Sequence, residues 1–304
     1  MDQEELEELA LLREEVKRLR KSLALCTPGL EALLKRRGFN IFKKGPAGDL
    51  LVPAAGPPDD WYEHMKHYSF RLYLRDVIKQ QERFTVESVT RYATADVTGD
   101  YTRYMVQAGV AEEADGAYRL KGGRIKSFGE TLEWFAAQIL IREFQTEAIW
   151  SVKFKKGHKP GRPGTGGDYD VVAKIGEGLL YMEVKSSPPK QIYQNEITAF
   201  LERTRELSPE IAVFFMDTEL RMKDKIVPMF EAALPGFSSI AGENHPVRLY
   251  RELFRIGDRI FIINARGSVA MNIERALGHY FAHAGRPPSQ PYTGTSSPGG
   301  PGRV

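Results

Sequence analysis

The 304-residue chain predicts an α/β core, a mixed central sheet flanked by helices with elements in the order α-β-β-β-α-β. A smaller helical unit and a single helix precede it. Three observations carry this prediction. Leu179, Leu180, Tyr181 and Met182 are apolar on both alternating faces of a strand, and Ile211–Met216 repeats the pattern. Strands apolar on both sides belong in a sheet covered on both faces. Gly176-Glu177-Gly178 joins the first of these runs to Val171–Ile175, as the turn of an antiparallel hairpin. Ahead of them, Leu132, Phe135, Ala136, Ile139 and Leu140 recur at helical spacing.

Residues 1–26 predict a helix whose Leu9, Leu12, Val16, Leu19, Leu23 and Cys26 follow the 3-4 spacing of a coiled coil. Acids crowd its start and bases its end, the order that complements a helix dipole. Two readings stand for this stripe: a homodimer through 4–26, or a helix packed on its own domain. Thr27-Pro28 stops it. Residues 27–60 read as a linker in which Asn40–Lys43 and Leu50–Pro53 could pair across Gly45–Gly48 as a small hairpin. Residues 61–121 predict three helices: one through Phe70, Leu74, Val77 and Ile78, one capped by Thr85, and one from about Gly99 to Ala108. A hairpin follows, with Asp115-Gly116 at its turn. Three helices and a hairpin resemble the winged helix-turn-helix family. That likeness implies a third helix in the DNA major groove, with Arg103 as its cation, or alternatively a protein-docking module.

Residues 122–284 hold the core. Ser127 and Glu130 have the spacing of a capping box at the first helix. A strand follows near 149–154, then the hairpin, a helix from about Gln191 to Leu207, and the strand Ile211–Met216. Beyond these, 221–233 reads as a helix, 259–265 as a strand and 268–282 as a last helix. Residues 285–304, rich in Pro, Gly and Ser, read as a disordered tail.

The hairpin carries charges where apolar residues would serve packing better. Glu183 and Lys185 end the buried run and point to one side of the strand, while Val184 points to the other. Burying either charge alone costs several kcal/mol. Asp170 starts the partner strand, so the two carboxylates converge at the open end of the hairpin. Two carboxylates beside a lysine suit a hard cation such as magnesium.

Asp170, Glu183 and Lys185, within Asp168-Tyr169-Asp170-Val171-Val172-Ala173 and Tyr181-Met182-Glu183-Val184-Lys185-Ser186-Ser187, resemble the signature of the restriction-endonuclease-like PD-(D/E)xK nucleases, in the style of resolvase and Mrr-type members. The likeness covers about 124–217 and extends toward 284. Tyr169 stands where the family often has proline. The same three letters recur at Glu15-Val16-Lys17, in a charged helix where they mean only a solvated face, so context gives the signature its weight. The resemblance implies an α/β nuclease core with Asp170 and Glu183 holding Mg²⁺ (Mn²⁺ as substitute) and the Val184 carbonyl as a further ligand. It implies that Lys185 positions or activates water; beside a bound cation, its pKa is expected to be depressed. It implies products ending in 5′-phosphate and 3′-hydroxyl. Members often add a glutamate from the first helix: Glu133 is favoured, since it borders the apolar stripe, with Glu130 as the competitor. Asp168 is an alternative to Asp170. Gln191 and Gln194 stand where some members touch the lysine or phosphate. The bland alternative to all of these is a structural ion pair and solvated helix faces.

Net charge is only +3, so no global basic field points to nucleic acid. A local one does: Lys153, Lys155, Lys156, Lys159 and Arg162 enter a glycine-rich loop just before Asp170. Lys190 is a candidate phosphate contact. The lone Cys26 rules out an internal disulfide and suits a reducing cytoplasm. No apolar run reaches the ~20 residues of a membrane span, so no membrane partner is expected. No glycine-rich phosphate loop ending in Lys-Ser/Thr occurs, which argues against ATP-driven work. The sequence thus predicts a Mg²⁺-dependent endodeoxyribonuclease. Its alternatives are a non-catalytic DNA-binding or docking protein on the same fold, and a nuclease acting on RNA.

Overall fold

The computed structural model describes residues 8, 11–19, 22, 27–46, 48–54, 59–156, 166–241 and 245–283. Its centre is an eight-stranded mixed sheet. The strands are β1 (Phe39–Lys43), β4 (Ala148–Lys156), β5 (Gly166–Ile175), β6 (Gly178–Lys185), β7 (Ile211–Met216), β8 (Val247–Tyr250), β9 (Leu253–Ile256) and β10 (Ile260–Asn264). Their order across the sheet is β1-β4-β5-β6-β7-β10-β9-β8. The β6–β7 and β7–β10 pairs are parallel, and the other pairs are antiparallel. A helical connection between β6 and β7 is what a parallel pair requires.

Side-chain alternation sorts the sheet into two cores. Val171, Ala173, Leu180, Met182, Val213 and Phe215 face one side. There they meet Leu132, Phe135 and Leu140 of α6 (Gly129–Glu143) and Ile273 of α10 (Val269–His283). Val172, Leu179, Tyr181, Ala212, Phe214 and Met216 face the other. Their partners are α1 (Leu30–Arg36), α7 (Gln194–Leu207) and α8 (Ile226–Ala233). The helices α2 (Asp59–Lys66), α3 (Tyr68–Lys79), α4 (Val86–Val89) and α5 (Ala95–Gln107) precede the hairpin of β2 (Ala111–Ala114) and β3 (Ala117–Leu120). Trp61, Phe70, Leu74 and Met105 from these helices share the first core. Thr85 caps α4 through a reciprocal pair with Ser88. A short α9 (Ser238–Ala241) completes the set.

Several local expectations change. Residues 40–43 do not pair with 50–53; β1 adds to the sheet edge against β4. The reason lies in burial. Phe39 packs on Phe154 in one core, at 5.6 Å between rings, whereas Leu51 sits in the other. The linker expected over 27–60 does not reach residue 60, because α2 starts at Asp59 ahead of the first predicted helix and buries Trp61, Tyr62 and Met65. The third helix begins earlier, capped by Thr94. No capping box closes α6: Glu130 accepts from the Asp49 N–H at 2.7 Å instead. The helix expected over 221–233 starts at Ile226. The two strands β8 and β9 were not expected. Residues 11–19 are helical, with Leu12, Val16 and Leu19 exposed; Leu9, Leu23 and Cys26 of the stripe lie outside the described residues, as does the tail. Among the described residues no helix is long and apolar enough to cross a membrane.

Candidate active site

The strands β5 and β6 pair from Ile175↔Gly178 back to Val171↔Met182 and then part. Asp170 and Glu183 stand just past that last pair. The Asp170 side chain bridges the opening: its Oδ2 accepts the Val184 N–H at 2.7 Å. Meanwhile β6 stays bonded to β7 through Lys185↔Met216. A fork between two strands is thus built from one strand that continues and one that peels away. On the far side of β5, the β4 pairing skips Ser151 between Trp150↔Val171 and Val152↔Tyr169. Ser151 has φ +48°, a left-handed backbone that costs a residue other than glycine on the order of 1 kcal/mol or more. It lies opposite Asp170 in register, and its hydroxyl donates to Glu133 of α6.

Glu183 is 2% exposed and densely compensated. Arg203 Nη1 of α7 donates to both of its oxygens, at 3.0 and 2.9 Å. The Lys185 ammonium lies 2.8 Å from its Oε1, and the Tyr181 hydroxyl donates to Oε2. Lys185 also reaches Glu196 of α7 at 3.3 Å. Burial alone would lower the Lys185 pKa, but Glu183, Asp170 and Glu196 outweigh it and hold the ammonium above its ordinary range.

The uncompensated charge lies elsewhere. Burial, then the charges of Glu183 and Glu133, push the Asp170 carboxyl well above the usual aspartate range. Glu133 is pushed up to about 7, first by burial and then by Glu130, Glu183 and Asp168, against the Ser151 hydrogen bond. Glu133, Asp170 and Glu183 therefore sense one another, and among the described residues Glu133 and Asp170 form no ion pair. Between the two glutamates of the first helix, Glu133 faces this cluster while Glu130 is held by the Asp49 backbone.

The other predicted residues divide. Asp168 pairs with Lys153 at 2.7 Å on the exposed part of β4 and β5. Lys155 lies 4.9 Å from the Phe42 ring centre. Lys156 ends β4, and Lys159 and Arg162 lie outside the described residues. Gln194 donates to the Met229 carbonyl, a structural bond. Gln191 and Lys190 line a separate crevice beyond the end of β6. Arg103 is exposed on α5 and paired with Asp100. Sequence reasoning passed over Arg203, Tyr181, Glu196 and Ser151. One of them had a readable signal: Tyr181 lies two residues before Glu183, on the same strand face. Nothing in the sequence marked the left-handed Ser151.

Whether these residues fit a metal can be tested on the donors themselves. Among the described residues no group of three His, Cys, Asp or Glu side chains is placed to hold an ion. Asp170 and Glu133 nevertheless fit a hard divalent cation, because two mutually repelling carboxylates are relieved by one. Glu183 fits only if Arg203 or Lys185 gives way.

No family model matches the chain, and no curated protein matches it. Among solved structures, protein VC1899 from Vibrio cholerae is 13% identical, covering 71% of this chain and 63% of its own, with a TM-score of 0.41. Can2 from Sulfobacillus thermosulfidooxidans, solved in complex with cyclic tetra-adenylate, is 12% identical, covering 83% of this chain and 60% of its own, with a TM-score of 0.47. The chain spans less than two thirds of the length of either.

Proposed function

We propose that the chain is a metal-dependent phosphodiester hydrolase acting on nucleic acid, with DNA as the primary substrate. The observation that carries this reading is the fork of β5 and β6, which gathers Asp170, Glu183 and Lys185 with Glu133 from the neighbouring helix. Asp170 and Glu133 would hold Mg²⁺ or Mn²⁺, with Glu183 joining them once Arg203 or Lys185 gives way. When bound, such a cation would neutralise charge on the scissile phosphate and lower the pKa of a water. Lys185, one-fifth exposed, presents an ammonium beside that position and stabilises negative charge. Arg203 and Tyr181 act on Glu183 and fix its orientation. The unit of α3 to β3 is read as a winged helix, with Arg103 its one cation on the third helix, and residues 4–26 as the contact of a homodimer.

The test is cleavage of supercoiled DNA, branched DNA and RNA with Mg²⁺ against EDTA, using wild type, Asp170→Ala and Lys185→Ala. Metal-dependent cleavage lost in both variants is expected. No metal-dependent cleavage of any substrate would overturn the reading. It would favour the second reading, a non-catalytic binding protein, for which the saturation of Glu183 by Arg203 and Lys185 is the supporting observation.

A further inference from the structure

Beyond the ends of the parallel strands β6 and β7 lies a crevice of about 700 Å³, closed on its other side by α3 and by residues 126–128 ahead of α6. The carboxyl ends of neighbouring parallel strands are where open α/β sheets commonly bind ligands. Its size falls within the ~300–1,000 Å³ of small-molecule sites.

The floor is Asp217, 1% exposed, at the end of β7. Its carboxylate is shared by two guanidiniums: Arg71 at 2.9 Å and Arg75 at 2.6 Å. One carboxylate against two guanidiniums leaves a positive excess in the wall. Arg75 still has a buried Nε–H without an acceptor, and its guanidinium lies over the Phe128 ring at 5.1 Å. Next to it, the 92%-buried Asp76 side chain keeps Oδ2 without a donor, although Oδ1 takes Lys79 at 2.7 Å. Buried polar groups are nearly always satisfied, so each of these atoms is an exception in the wall of the crevice.

The rim has a different chemistry. Lys126 and Lys190 line it and form no ion pair among the described residues. Four cations (Arg75, Lys79, Lys126, Lys190) and three carboxylates (Asp76, Asp217, Glu219) line the crevice. Ser127, Ser186, Ser187 and Thr218 add hydroxyls. Tyr92 is 48% exposed at the edge, with Arg91 over its ring at 5.3 Å. Cations and hydroxyls at the mouth suit phosphate, and an open aromatic ring suits a base. The strand ends that line the crevice continue from the fork: the Asp217 N–H donates to the Lys185 carbonyl at 2.9 Å.

We propose that this crevice binds a phosphorylated nucleoside, with its phosphate on Lys126 and Lys190 and its base against Tyr92. The proposal is that of a binding site and does not require the hydrolase reading, though it supplies that reading with a place for a nucleotide next to the cleaved bond. A free nucleotide and one unit of a polynucleotide strand share this chemistry, and the test separates them. Binding is measured in EDTA, where no metal-dependent cleavage interferes, by fluorescence anisotropy of the full chain with a labelled 12-nucleotide single strand and by calorimetry with the mononucleotide AMP. Wild type is compared with Lys126→Glu/Lys190→Glu, Tyr92→Ala and the distant control Lys121→Glu.

At least a tenfold loss of affinity in both crevice variants, with the control unchanged, is expected. Loss with the single strand alone assigns a strand segment; loss with AMP alone, or with both, assigns a free nucleotide pocket. If neither probe binds, or if binding is unmoved by both crevice variants, the proposal fails. Since the readout is binding without metal, that failure is separate from a failure of the cleavage assay. Thermal melts of the rim variants, whose side chains are exposed, identify any loss caused by unfolding; Tyr92→Phe then serves as the folded comparator that retains the ring and must retain binding.

Discussion

Glu133→Gln tests the electrostatics of the fork without touching the fold around it. The Glu133 carboxyl is held at about 7 instead of its ordinary 4.5. The folded chain therefore keeps a proton that the unfolded chain releases as pH rises above 4.5. Stability is greatest below that value, falls as pH rises toward 7 and stays low above it. At about 1.4 kcal/mol for each pH unit, the penalty at pH 8 is at most about 3 kcal/mol. Glutamine retains an oxygen for the Ser151 hydroxyl and never ionises. The variant should accordingly be more stable than wild type at pH 8, by up to about 3 kcal/mol, and equal to it near pH 4.5. Urea titrations at half-unit steps from pH 4.5 to 8.5 measure this. Parallel pH profiles for the two proteins would refute the burial and repulsion assigned to Glu133. In the same format, millimolar Mg²⁺ at pH 8 should stabilise wild type and leave Glu133→Gln/Asp170→Asn unmoved, which reads the metal site without any activity.

Arg203→Ala removes one of the two cations on a 2%-exposed carboxylate, and should destabilise by roughly 2–4 kcal/mol at neutral pH; a change under about 1 kcal/mol in urea unfolding would show that Lys185 and Tyr181 suffice. Asp217→Ala strands the 1%-exposed Arg71 and should cost about 3–5 kcal/mol, while Asp217→Asn, which keeps an acceptor, should cost less; equal losses would assign the effect to packing. Gly178→Ala would place a Cβ 2.4 Å from Glu210 Oε2, a carboxylate already bound to Arg37 and the Leu179 N–H, so a loss of about 1–3 kcal/mol is expected in thermal or urea melts. Deleting residues 1–26 should reduce the molar mass read by light scattering; an unchanged mass removes the coiled-coil dimer.

The strands and the charges that end them were legible because period-two burial and a broken apolar run are local signals. Val171–Ile175, Leu179–Lys185 and Ile211–Met216 all lie where alternation put them. The neighbourhood of Glu183 was not legible, because Arg203 reaches it from a helix twenty residues on, and which turn of a helix faces a strand end is decided by packing. The edge strand β1 was missed for a related reason: residues 40–43 have a plausible partner nearby in sequence, but their real partner, β4, is over a hundred residues away. Burial of Phe39 decided between them. Helix α2 was hidden by the Pro57-Pro58 that precedes it, although Trp61, Tyr62 and Met65 have helical spacing.

Both margins of the eight-stranded sheet are poor templates for another strand. At one, β1 is five residues long, slips register between Ile41 and Lys43, and ends at Lys43, with Lys44 next in the chain. At the other, β8 has four residues and a slip between Arg248 and Tyr250. Short, kinked, charged edges disfavour pairing in register with a neighbour. Copies of this chain are consequently steered away from joining sheet to sheet.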